Sequence, residues 1–183
     1  PNLVTLRPAD AAETVAAWRT AIGRSTGPTA LILTRQKLPA LVRRADMSAD
    51  TARGGYILHE PATAPVAIIL STGSEVNVAM AAAATLEAEG TPTRVVSMPS
   101  WELFAAQDPA WKERVLPRAI TARVSIEAGL TFGWSRWVGD RGRSLGLDHF
   151  GASAPGERLF QEFGFTPAHV VAAVRSILTA STS

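Results

Sequence analysis

Short apolar runs alternate along this chain with longer Ala-rich stretches, and turn residues separate the two kinds of segment. That alternation constrains the fold more than any other feature, because strand and helix in turn build a parallel sheet with crossover helices. The first instance is complete within the opening residues. LVTL, residues 3–6, reads as a short buried strand. Asp10 and Glu13 then stand at capping-box spacing and open a helix over 11–22, which Gly23 and the Gly27-Pro28 pair terminate. TALILT, residues 29–34, reads as a second buried strand. The unit is a βαβ crossover, and its handedness is expected to be right-handed.

From residue 36 to about 55 the periodicity is lost. Pro39, several charges and Gly54-Gly55 mark a linker. We expect residues 1–40 to end one domain, 41–54 to connect, and 55–183 to form another. In the second region residues 56–59 form a short edge strand and 66–70 a buried one. STGSEV follows, where Thr72 and Glu75 repeat the capping-box spacing before a helix that ends at Gly90. Residues 94–98 and 123–127 read as further strands. Asp108-Pro109 starts a short helix that Pro117 ends. Ser153-Ala-Pro opens another helix, closed by Gly164, and Thr166-Pro167 opens the last, running to Leu178. The expected fold class is α/β: an open, mostly parallel sheet with helices on both faces and one antiparallel edge strand, preceded by a βαβ remnant of another α/β domain.

Composition narrows the function. The chain has 183 residues, 46% hydrophobic and 19% charged, which is enough apolar material for a sizeable core. There is no cysteine, so disulfides and thiolate metal sites are excluded, and a cytoplasmic location is expected. No uninterrupted apolar run reaches membrane-spanning length, and the start carries no secretory-signal pattern. Net charge is +2, and the basic residues are scattered, with Arg43 and Arg44 the only adjacent pair. A nucleic-acid interface would need a clustered basic stripe, so none is expected. The chain opens on Pro1 and runs straight into an apolar strand, from which we expect a fragment of a longer polypeptide.

Several candidate sites have a structural reading beside a functional one. STGSEV lies between strand and helix, where backbone N–H groups can receive an anion, yet its single glycine and its Ser, Thr and Glu also fit ordinary capping, which we favour. Glu127 ends a strand at the sheet edge where open α/β folds collect ligands, but no second acid or histidine stands near it, so we read a residue that fixes a loop or a subunit contact. His59, His149 and His169 lack metal-ligand spacing. Trp101, Trp111, Trp134 and Trp137 are read as packing groups, and Ser153 has no nucleophile elbow around it. Arg35 stands apart. It follows a strand at its carboxyl end, and a guanidinium suits bidentate recognition of phosphate.

LRPADAAETVAAWR, GPTALILTRQKL, GGYIL, ILSTGSEVNVA, VVSMPSWELFAAQ, RVSIEAG and DHFGASAPGERLFQEFGFT, in this order, resemble the carboxyl-terminal portion of transketolase. The resemblance implies the end of a middle, pyrimidine-binding domain followed by a complete third domain. It implies a parent enzyme of the pentose phosphate pathway that moves two-carbon ketol units between phosphorylated sugars, using thiamine diphosphate and a divalent cation, Mg or Ca. The arginine of the family's RQ motif, which binds the sugar phosphate, matches Arg35. The family's Gly-Asp-Gly motif, its histidine cluster and its activating glutamate are not found here. No catalytic, cofactor-binding or metal-binding residue is therefore assigned in this chain, and the chain alone is expected to be inactive. The parent is expected to be a homodimer, with the missing domains as partners. Alternatives are a split-enzyme subunit, a related ketol transferase such as dihydroxyacetone synthase, or a non-enzymatic module that binds an anion at STGSEV or mediates dimerisation.

Overall fold

In the computed structural model, which describes residues 2–43 and 48–180, the chain forms one small parallel sheet and one larger, mostly parallel sheet. Arg44 and residues 45–47 of the expected linker, with Pro1 and residues 181–183, lie outside the described residues. Strand β1 (Val4–Leu6), helix α1 (Ala11–Gly23) and strand β2 (Thr29–Leu31) form the expected unit, with β1 and β2 parallel. The Asp10 side chain accepts from the Glu13 amide at 3.0 Å, and Glu13 reaches back to the Ala9 amide at 2.8 Å, one residue earlier than a capping box requires. The second strand is shorter and less buried than its sequence predicts. Pairing ends at Leu31, and Ile32 and Leu33 are about half exposed. Among the described residues β2 has a neighbour on one side only, so its outer surface is uncovered. Val15, Trp18 and Ile22, on one face of α1, are exposed as well.

A four-residue helix, α2 (Ser48–Thr51), lies in the stretch read as linker. Strands β3 (Tyr56–His59) and β4 (Ala67–Ser71) follow, then a 3₁₀ turn (Gly73–Glu75), α3 (Val76–Ala88), β5 (Thr93–Ser97), α4 (Trp101–Ala105) and α5 (Pro109–Val115). The chain continues through β6 (Arg123–Ile126), α6 (Ser135–Val138), β7 (Arg143–Leu145), α7 (Gly156–Glu162) and α8 (Pro167–Ala180). The larger sheet runs β3-β5-β4-β6-β7, with β3 antiparallel to β5 and the remaining pairs parallel.

Alternation along the strands divides the core in two. Ile69, Val95, Val124 and Ile126 face α3 and α8, while Ile68, Leu70 and Val96 face α4, α5 and α6. Each of these side chains contributes about 1.5–3 kcal/mol through burial. The crossover from β4 to β5 uses α3 on one face, whereas that from β5 to β6 uses α4 and α5 on the other. The strand order therefore reverses between β4 and β6, which makes the carboxyl ends of those strands the topological switch point.

The region 156–180 has the length and hydropathy of a membrane span. Gly164, at φ +77°, breaks it into α7 and α8, and α8 commits Val170, Val171, Val174 and Ile177 to the core. The apolar face of α8 is taken up by packing against α3 and the sheet. Strand β7 and helix α6 carry no strong periodic signal, and neither is legible in the sequence.

Candidate functional site

Arg35 lies past the carboxyl end of β2 and is exposed. Among the described residues it makes no ion pair or side-chain hydrogen bond. Its neighbours are ordered around it: the Thr34 hydroxyl accepts from the Gln36 amide at 3.1 Å, and the Gln36 side chain approaches Gly156 at the start of α7. Thr34 and Gln36 line a cleft of about 220 Å³ together with Arg7, Pro8, Glu75 and Phe160. The segment bearing Arg35 thus sits over the switch-point edge of the larger sheet.

Beneath that edge the sequence-based reading of STGSEV is corrected. Thr72 makes no side-chain capping bond, and the first turn is 3₁₀ in geometry. The Thr72 hydroxyl instead donates to the Arg7 carbonyl at 3.1 Å, and the Gly73 amide donates to the same oxygen at 3.0 Å. Glu75, fully buried, accepts from the Ala128 amide at 2.9 Å and pairs with Arg7 at 3.0 Å. The Ser74 hydroxyl also bonds the Glu75 carboxylate. Tertiary partners have taken the groups that would otherwise form the cap.

Glu127 behaves as the hydrogen-bonding residue expected of it. It accepts from Arg7 at 2.7 Å and from the Trp134 indole N–H at 2.8 Å. Trp134, Trp111 and Trp137 are buried; Trp111 donates to the Gly55 carbonyl at 3.0 Å, and Trp101 meets Trp134 edge-on at 4.9 Å between centroids. The three histidines engage separate neighbours: Glu87 for His59, the Phe150 carbonyl for His149 and the Gly164 carbonyl for His169. Ser153 is exposed, and α7 starts at Gly156 behind Pro155 without a side-chain cap, because the expected cap serine lies too early in the chain.

A second polar cluster joins α1, the linker and the larger sheet. Glu13 is buried and accepts from the Tyr56 hydroxyl at 2.5 Å, the Ser97 hydroxyl at 2.6 Å and the Ala9 amide. Asp10 pairs with Arg43 and accepts from the Leu41 amide at 3.0 Å. Burial works to raise the Asp10 pKa, but the Arg43 hydrogen bond and the amides of Glu13 and Leu41 outweigh it and hold the carboxyl below its ordinary value. Burial and the Glu13 carboxylate push the Tyr56 phenol well above its ordinary value, so it stays a donor. None of these residues except Asp10 and Glu13, read as caps, is marked out by the sequence.

Among the described residues no three His, Cys, Asp or Glu side chains come together to hold a cation. The buried carboxylates Asp10, Glu13 and Glu75 are committed to guanidinium, hydroxyl and amide partners. These residues do not fit a diphosphate with its metal.

Residues 1–40 match the family model of the transketolase pyrimidine-binding domain, and residues 54–166 match that of the transketolase-like carboxyl-terminal domain. The chain is similar to transketolase 2 of Pasteurella multocida, at 50% identity, and to transketolase 1 of Escherichia coli, at 49% identity. In both comparisons 97% of this chain is covered but 27% of the relative, so the chain spans about a quarter of their length. A transketolase of Pichia stipitis, solved in complex with sedoheptulose 7-phosphate, superposes with a TM-score of 0.90 at 36% identity, covering 100% of this chain and 26% of that one. A split-gene transketolase described as an inactive β4 tetramer gives a TM-score of 0.77 at 27% identity, covering 98% of this chain and 59% of that one.

Fold and matches together define a two-part segment of α/β architecture in which a pyrimidine-binding element precedes a carboxyl-terminal domain. The chain belongs to the transketolase family.

Proposed function

We propose that this chain is the carboxyl-terminal portion of a transketolase whose parent transfers two-carbon ketol units between phosphorylated sugars. Residues 1–40 end the pyrimidine-binding domain, 41–54 connect, and 55–183 form the third domain. Within residues 1–40, Arg35 binds the sugar phosphate. The observation that carries this assignment is an exposed guanidinium without a partner among the described residues, held past the carboxyl end of a parallel strand in a segment matching the pyrimidine-binding domain. Two guanidinium N–H groups can engage two phosphate oxygens side by side, which orients the sugar as well as binding it. The relative solved with sedoheptulose 7-phosphate supports a phosphorylated sugar as ligand.

Thiamine diphosphate and its divalent cation, Mg or Ca, supply the bond-making chemistry in the parent, which we take to be a homodimer. This chain contributes substrate positioning. Accordingly, the purified chain is expected to show no ketol transfer between xylulose 5-phosphate and ribose 5-phosphate, and turnover by it would refute the assignment. In the full-length parent, Arg35→Ala is expected to raise KM for phosphorylated sugars roughly ten- to a hundredfold, the loss of one charge-assisted contact. Unphosphorylated acceptors should be little affected. Equal effects on both substrate kinds would make Arg35 structural.

An anion-binding module at STGSEV is the less favoured reading. The Gly73 amide is already bonded to the Arg7 carbonyl, and the Glu75 and Glu127 carboxylates converge on the same crevice. An entering anion would meet both.

A further inference from the structure

Among the described residues, STGSEV at the switch-point crevice has one glycine and not the glycine pattern of a phosphate-binding loop. The centre of the crevice is filled by the guanidinium of Arg7, a residue of the opening βαβ unit. Glu75 follows β4 and Glu127 follows β6, so the two carboxylates flank the place where the strand order reverses. Arg7 reaches Glu75 at 3.0 Å through Nη2 and Glu127 at 2.7 Å through Nη1. The Glu75 side chain is fully buried, and those of Arg7 and Glu127 are 20% and 18% exposed.

The backbone of Arg7 is committed to the same place. Its amide donates to the Pro99 carbonyl beyond β5 at 2.8 Å, and its carbonyl accepts from Gly73 and Thr72 beyond β4. Gly73 completes the seat. With φ at +60°, a side chain there is strained, and a Cβ would come within 3.2 Å of Arg7 Nε and 3.3 Å of its Cγ and Cζ. The glycine of STGSEV therefore admits a guanidinium, where the glycine of a phosphate loop admits a phosphate. Clefts of about 220 and 230 Å³ lie on either side of the arginine, one shared with Thr34 and Gln36, the other with Ser100 and Glu102.

We propose that the switch-point crevice of the third domain is a guanidinium receptor whose ligand is Arg7 of the preceding domain. The two domains are joined there as a protein joins a ligand, and the segment carrying Arg35 is set on the sheet edge by that docking. Arg7 is a positioning residue. This docking rests on the domain assignment above and is independent of the transfer reaction.

Chemical rescue tests it in the 183-residue chain. Arg7→Ala should lower Tm by roughly 10 °C, since it leaves two carboxylates facing an empty seat. Millimolar ethylguanidinium should then recover much of that loss relative to sodium chloride at equal concentration. The wild type and the double variant Arg7→Ala with Glu127→Gln should gain nothing comparable. An Arg7→Ala chain as stable as wild type, or one that gains no more from ethylguanidinium than the wild type does, overturns the proposal. If Arg7→Ala yields no folded protein, Arg7→Lys decides. A lysine keeps the charge but cannot fork to both carboxylates, so a Tm several degrees below wild type supports the proposal, and a Tm equal to wild type overturns it.

Discussion

Glu13→Ala should destabilise the chain by about 3–5 kcal/mol, the cost of removing one member of a buried, hydrogen-bonded charge cluster. The carboxylate has almost no contact with solvent, and its two oxygens serve Tyr56, Ser97 and Ala9. Truncation leaves two hydroxyls and an amide without acceptors, and it leaves the Arg43 guanidinium with Asp10 as its one carboxylate partner. Each stranded donor carries its own desolvation penalty. For a chain of this size the loss corresponds to a fall in Tm of roughly 6–20 °C. Glu13→Gln should cost less, because an amide oxygen still accepts, and Tyr56→Phe less again, because it removes a single donor. Thermal unfolding followed by circular dichroism orders the three. A Glu13→Ala chain melting at the wild-type temperature would show that this cluster does not hold the two sheets together.

A comparable loss is expected from adding one methyl group at Gly54. This residue sits at φ +81° where the chain leaves α2, and a Cβ would lie 2.4 Å from the Ser100 carbonyl oxygen and 2.5 Å from the Phe104 amide nitrogen. Both neighbours are backbone atoms of α4 and its cap, bonded to each other at 3.1 Å, and the Ser100 amide is itself bonded to the Gly54 carbonyl at 3.0 Å. Neither can step aside without unpairing that turn. Left-handed strain and overpacking together give about 2–5 kcal/mol for Gly54→Ala. Gly90 provides the control. Its φ is +80°, but nothing lies within 4 Å of the added Cβ, so Gly90→Ala should cost about 1–2 kcal/mol. Urea unfolding at constant m-value separates backbone strain from collision. Equal losses at the two glycines would show that the collision at Gly54 relaxes freely.

The contrast between these glycines reflects what the sequence can convey. Gly90 is legible as a helix end because the signal is local: an Ala-rich run followed by a residue free to adopt positive φ. The same holds for the Asp10 cap, for Pro109 at the first position of α5 and for the alternating strands. Gly54 and Gly73 are governed by distant backbone and side chains, so their requirements cannot be read from neighbours. STGSEV shows the failure plainly. Its capping-box spacing is intact, yet Thr72 and Glu75 bond to residues more than fifty positions away, and the cap is not formed. The role of Arg7 is not legible in the sequence for the same reason, since its partners stand at positions 75 and 127. One clue was present: Arg7 directly follows β1, much as Arg35 follows β2, and both stand at carboxyl ends of parallel strands.

The buried cluster around Glu13 also sets terms for recombination between relatives. A crossover placed after Arg43 in the stretch read as linker would separate Asp10, Glu13 and Arg43 from Tyr56 and Ser97, and Arg7 from Glu75 and Glu127. A chimera cut there is expected to inherit charges buried opposite unrelated neighbours. Exchange of the third domain is therefore expected to cost least stability when the eight residues travel as one set.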